Sequence, residues 1–375
     1  MLDQKKVFFP NLDGLRFLSF LSVFFFHSFY TELDSIKYSG NYIFIKKSLF
    51  GNGNIGVNFF FVLSGFLITY LLMEEKKITG KIEIQKFWLR RILRIWPLYF
   101  FCVFFGFILF PIIKSYFGQV SNESAEPFYY LTFISNFDFL KNGKPDCSVL
   151  GVLWSIAIEE QFYFVWPILL MIVPDKHYLK LFIVIIMGSC IFRFFVPDPI
   201  ADEIHTLSCM GDLTMGALGA YLCRTDEFKK WLEDLKRGYI LLIYFLFFVF
   251  YFFREQFLFL NTYFYVFDRT IIASIILMII LEQNFSKNSF FKMSKLKFIS
   301  KLGTISYGLY CLQFVGILTT ITLSKKFHLN QNIWNVIFLE TLLALSITIL
   351  FSQLSFKFFE APFLKLKEKF AYITK

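Results

Sequence analysis

Histidine, cysteine and acid are scarce in this chain. Its 375 residues include four His and six Cys, and Lys plus Arg outnumber Asp plus Glu by 38 to 28. The cysteines (Cys102, Cys147, Cys190, Cys209, Cys223 and Cys311) show no CxxC or other metal-ligand spacing. No metal site is expected from them, and most sit in apolar runs as packing residues. Cys147 and Cys209 are both expected near the outer face, which leaves a disulfide between them open. No internal repeat, low-complexity linker or soluble stretch interrupts the chain. The missing repeat weighs against an alternating-access transporter. No small-residue cleavage site follows the first apolar run, so that run is expected to be a retained helix rather than a signal peptide.

Apolar residues are plentiful. They make up 57% of the chain, aromatic residues 22%, and Phe alone occurs 56 times. Long apolar runs recur from end to end, the pattern of a polytopic membrane protein rather than of a large soluble core. Most Phe rings are expected against lipid or between helices. Spans are predicted near 13–31, 56–73, 92–112, 149–173, 179–196, 206–223, 238–253, 264–282, 302–323 and 333–357. An even number of crossings returns the chain to its starting side. That side holds 26 of the 38 Lys and Arg and the opposite side eleven, with Arg16 inside the first span. The positive-inside rule then places both termini in the cytoplasm. The net charge of +10 is thus sorted into alternate loops, which argues against a nucleic-acid partner. Residues 128–140 are apolar but too few to cross, so an interfacial or re-entrant helix is expected there. The expected fold is all-α: a polytopic bundle of about ten membrane helices, with residues 1–375 as a single membrane-embedded domain.

Polar residues inside such spans are costly and therefore informative. Arg16 and His27 stand eleven positions apart in one apolar run, about three helical turns, and so share a face. His27 is expected roughly 15–20 Å from the cytoplasmic end of its helix, where an imidazole can take a proton near neutral pH. Glu159 and Glu160 follow Trp154-Ser155 in the fourth span at a similar expected depth. Neighbouring residues point about 100° apart, so one carboxylate can face a histidine while the other holds a network. Arg90, Arg91 and Arg94 open the third span, and the planar fork of Arg suits phosphate. Ser64-Gly65 and the block Gly211-Asp212 through Gly219 carry the small residues of close helix crossings. No nucleophile elbow surrounds Ser64, which reads as packing or substrate contact. Asn58 lies in the outer half of the second span, and Tyr310 and Gln313 are one turn apart in the ninth. Each residue alone also fits a structural role: His27 in helix packing, Arg16 as an interfacial anchor, the arginine trio as topological charge.

Four blocks occur in order: Asp13-Gly14-Leu15-Arg16 with His27; Gly56 through Phe66; Arg90-Arg91 through Arg94 and Pro97; and Trp154-Ser155 through Glu159-Glu160-Gln161-Phe162-Tyr163. Together they resemble the acyltransferase 3 family of integral membrane acyltransferases over nearly the whole chain. The resemblance implies ten helices in a bacterial cytoplasmic membrane. It also implies transfer of an acyl group, usually acetyl, from cytoplasmic acyl-CoA to a hydroxyl. Acceptors in the family are typically sugars of lipopolysaccharide, exopolysaccharide or other surface glycans. The resemblance marks Arg16, His27 and the trio Arg90, Arg91 and Arg94 as required. Two positions depart from it. Gln313 stands where the family often has His, and Met210-Gly211 where an Arg commonly precedes the Asp212 block. Gln cannot act as a general base, so Gln313 is expected to contact acceptor or to be structural. Some members carry a soluble esterase-like domain after the membrane part, so this chain is expected to act alone or with a separate periplasmic partner.

The mechanism expected from these residues uses acetyl-CoA as donor substrate, with no metal and no permanently bound cofactor. Arg90, Arg91 and Arg94 hold its phosphates, and the pantetheine arm passes Arg16, which steadies charge on the thioester oxygen or CoA. His27, oriented by Glu159 or Glu160, removes the proton of a hydroxyl on a glycan or glycolipid. Ser64, Asn58, Trp154, Tyr310 and Gln313 touch the acceptor or frame the site. The alternative is a proton-coupled transporter or acyl-group translocator with His27, Glu159 and Asp212 along a proton path. Consumption of acyl-CoA separates the two.

Overall fold

A computed structural model describes residues 9–260 and 262–370, which form helices and loops with no strand among them. Ten long helices follow one another: α1 (Pro10–His27), α2 (Ile55–Thr79), α3 (Ile84–Tyr116), α4 (Leu150–Ile172), α5 (Tyr178–Phe195), α6 (Thr206–Leu222), α7 (Arg237–Leu260), α8 (Thr262–Phe285), α9 (Ser306–Lys326) and α10 (Asn335–Glu368). Each coincides with one expected span. Eight helices among the described residues are long and apolar enough to cross a membrane. The two that fall short are α1, which carries Asp13, Arg16 and His27, and α6, which has 17 residues and Asp212 among them. The chain is an all-α, multi-pass membrane protein.

Burial separates centre from periphery. In α2, 72% of the apolar stretch is buried by protein, against 11% in α7. Phe245, Phe248 and Phe253 of α7 are exposed, as expected for rings in lipid, whereas Phe61 and Phe66 of α2 are fully enclosed. The tight partner of α2 is α6. A Cβ on Gly65 would fall 1.8 Å from the Leu213 carbonyl oxygen, and one on Gly216 would fall 2.0 Å from that of Val62. The two small-residue blocks thus cross each other, backbone against backbone, as such residues permit. This contact brings Asn58 Nδ2 to 2.8 Å from Asp212 Oδ2. Replacing Gly216 with Val must push the helices apart. It is expected to destabilise the protein by about 3 kcal/mol or more, read as a lower Tm of the detergent-solubilised chain. An unchanged Tm would refute the crossing.

Three local details differ from the sequence expectation. Helix α1 stops at His27 rather than at residue 31, because Ser28 is extended and Phe29 takes a left-handed conformation at φ 62°. Residues 127–142 fold as two short helices, Pro127–Leu131 and Ser135–Asn142, the second lying on α4. The six cysteines are all free, so the disulfide left open between Cys147 and Cys209 is not formed; Cys209 Sγ lies 3.2 Å from the Glu203 carbonyl oxygen.

Candidate functional site

A cavity of about 620 Å³ enters the bundle from the end where Phe9, Glu75, Arg90, Lys367 and Glu368 border it. Arg16, Arg91 and Arg94 line it further in, with Ser64, Ser155, Glu159, Tyr163 and Tyr310. The arginines differ in what holds them. Arg16 is 2.5 Å from Asp13 on its own helix. Arg90 donates to Glu75 Oε2 at 2.8 Å and to the Phe370 carbonyl at 2.9 Å. Arg91 lies over the rings of Phe87 and Tyr163, 5.5 and 5.4 Å from their centroids. Neither Arg91 nor Arg94 forms an ion pair among the described residues. Two cations in a membrane interior without a carboxylate partner are expensive unless an anion joins them.

The paired glutamates part company, as their angular offset requires. Glu159 faces the cavity and accepts from Tyr163 Oη at 2.9 Å; Tyr163 Oη in turn hydrogen-bonds Ser64 Oγ. Glu160 points the other way and accepts from Trp96 Nε1 at 2.8 Å. Tyr310 Oη is 2.7 Å from Ser155 Oγ. Gln313 is fully buried, borders neither this cavity nor the outer one below, and donates to the Tyr310 carbonyl at 3.0 Å.

His27 is not brought to the glutamates. It ends α1, and its ring meets Phe26 at 5.1 Å and Phe314 at 4.8 Å between centroids. With Arg16 it spans roughly 16 Å along the helix axis, so Arg16 lies in the cavity and His27 toward the far end of the bundle. The expectation that Glu159 or Glu160 orients His27 therefore fails on geometry: both carboxylates are engaged by other groups on other faces. No described side chain hydrogen-bonds the imidazole.

A second cavity, about 290 Å³, lies on that far side and includes Asn58 and Trp154. Val57 borders both cavities, and the consecutive residues Trp154 and Ser155 border one each. His27 follows Phe26, a wall residue of the outer cavity, and touches Phe314, one turn beyond Tyr310 in the wall of the inner one. Val57 is thus a wall shared by the two chambers, and His27 lines neither of them.

Residues 9–355 match the family described as an acyltransferase domain. The chain belongs to the acyltransferase 3 family. It is 27% identical over 380 residues to the peptidoglycan O-acetyltransferase OatA of Listeria monocytogenes, covering 95% of this chain and 56% of that protein. It is also 27% identical over 391 residues to the O-acetyltransferase OatA of Staphylococcus aureus, covering 98% of this chain and 59% of that protein. The chain thus spans a little over half the length of these relatives. No solved structure matches it.

Several residues in and around these cavities are not singled out by the sequence analysis. Tyr163 is one turn from Glu159, the spacing that puts both on one face. Arg193, Arg254, Asp268 and Arg269 are charges inside or beside apolar runs, the same signal that singled out Arg16. They form a buried network in which Arg269 is 2.5 Å from Asp212 and Arg254 is 2.6 Å from Asp268. Asp212 lacks the expected Arg just before it in sequence; Arg269, from α8, supplies the cation instead.

Proposed function

We propose that this chain transfers an acetyl group from acetyl-CoA to a hydroxyl of a cell-envelope glycan. The donor enters the inner cavity from the face where Phe9 and Lys367 lie, which the loop charges assign to the cytoplasm. The observation that carries the reading is the pair Arg91 and Arg94, which line the chamber beside Glu159 but form no ion pair among the described residues. The diphosphate and 3′-phosphate of CoA are the anions that such forks hold. The thioester extends past Arg16 toward Ser64 and Tyr163, which line the chamber. The acceptor hydroxyl loses its proton to His27, whose ring nitrogens no described side chain occupies. The oxygen then attacks the acetyl carbon, the C–S bond breaks, and CoA leaves as the thiol with a proton returned to it.

The Listeria relative is named for peptidoglycan. That name favours a cell-wall glycan over lipopolysaccharide as acceptor, within the cytoplasmic membrane of a bacterium. The test is mass spectrometry and proton NMR of envelope glycan from cells with the gene deleted and then restored. An O-acetyl signal that vanishes on deletion and returns with the wild-type gene is expected. A signal indifferent to the gene would overturn the reading.

A further inference from the structure

We infer that the outer cavity is the acceptor subsite and takes an uncharged or amino-bearing sugar ring, not an anionic one. The inference rests on the acetyl-transfer reading and adds to it where the glycan sits and what charge it bears. Its lining differs from that of the inner chamber in which charges are left without an ion-pair partner. Both arginines in its wall are already matched: Arg269 holds Asp212 Oδ2 at 2.5 Å and two backbone carbonyls, and Arg254 holds Asp268 Oδ2 at 2.6 Å. Asp202 accepts from Ser208 Oγ at 2.9 Å and lies 3.8 Å from Arg193. Glu203 and Glu255 remain, with no cation within ion-pair distance among the described residues. The free charge of the outer chamber is therefore negative, which repels uronate or phosphate and suits hydroxyls or an ammonium group.

Hydrogen-bonding capacity is left over there as well. Asn54 Oδ1, Arg269 Nε and Tyr265 Oη are buried with no partner among the described residues, and all three side chains border the cavity. Unmet buried donors and acceptors are costly. A ring carrying several hydroxyls, each both donor and acceptor, meets such a mixed set. Trp154 supplies an aromatic surface beside them, able to pack on the apolar face of a pyranose while the polar groups hold its edge. The chamber adjoins the inner one at Val57 and reaches Phe26, next to His27. The proposed base, His27, lines neither chamber itself and stands one residue beyond Phe26 on α1.

The test uses the full-length chain in membrane vesicles from its own host, with radiolabelled acetyl-CoA and two readouts: label entering envelope glycan, and Kd for acetyl-CoA on the purified protein. Glu203→Gln and Trp154→Leu, on separate segments, are each expected to cut glycan labelling about tenfold and to leave the donor Kd within about twofold. Unchanged labelling in both variants overturns the subsite. So does a donor Kd that rises in parallel with the loss in monodisperse protein. Added chitotetraose is expected to inhibit wild-type labelling more than the tetramer of galacturonic acid does; equal or reversed potency overturns the charge preference. A wild type that labels no glycan at all instead fails the acetyl-transfer reading itself.

Discussion

Arg94→Ala is expected to raise the Kd for acetyl-CoA by about 10- to 100-fold, the worth of one or two charge-assisted hydrogen bonds to phosphate. The reason lies in how the three arginines of α3 are held. Arg90 spends its fork on Glu75 and the Phe370 carbonyl, so its loss should loosen the C-terminal segment more than it weakens donor binding. Arg91 rests on two aromatic faces. Arg94 lines the cavity without an ion pair among the described residues, so its charge is the most available to a ligand. Arg94→Lys should fall between wild type and Ala, because Lys keeps the charge and loses the planar fork. The wild-type affinity should also fall as salt is added. Equilibrium dialysis of the solubilised protein with labelled acetyl-CoA gives the answer. Wild-type affinity in Arg94→Ala would remove the phosphate role.

His27→Ala is expected to lower acetyl transfer by about 100- to 10,000-fold, the range for losing a positioned general base, with donor Kd unchanged. The separation of the two effects follows from position. The arginines proposed to bind phosphate stand at the end of the bundle where Phe9 and Lys367 lie. His27 closes α1 near the other end, with Phe26 and Phe314 about its ring. Removing the imidazole takes away a proton acceptor and leaves the arginine cluster untouched. His27→Gln should be equally impaired, since an amide cannot take up the proton. Labelling of glycan at a series of acetyl-CoA concentrations distinguishes a fall in kcat from a rise in KM. Turnover at the wild-type rate would mean that another group removes the proton. A loss confined to KM would place His27 in donor binding instead.

The parts of the site that were legible in the sequence are those where charge sits in an apolar run or where spacing fixes a helix face. Arg16, the arginine trio and the Glu159-Glu160 pair stood out because hydrocarbon penalises each of them. The small-residue blocks around Gly65 and Gly216 announced close crossings for the same kind of reason, the absence of side chains that would keep helices apart. The partner of each block was not legible, because a small residue says that some backbone approaches and not which one. The orientation of the carboxylates relative to His27 was not legible: equal expected depth does not put two groups on facing sides of neighbouring helices. Rotation about each axis, set by packing, turned Glu160 to Trp96 and Glu159 to Tyr163.

The sequence by itself determined the helical membrane class, the position of every long helix, the likeness to membrane acyltransferases and the row of arginines at one mouth. Each of these depends on local properties: apolar run length, charge in hydrocarbon, and spacing along one helix. Only the tertiary structure decided that Arg16, Arg91, Arg94, Glu159 and Tyr310, from four separate helices, share one cavity. It alone placed a second chamber beyond Val57, and turned both glutamates to partners other than His27. Those outcomes depend on which helices become neighbours and how each is rotated, which is a property of many weak contacts summed over the bundle and not of any single segment.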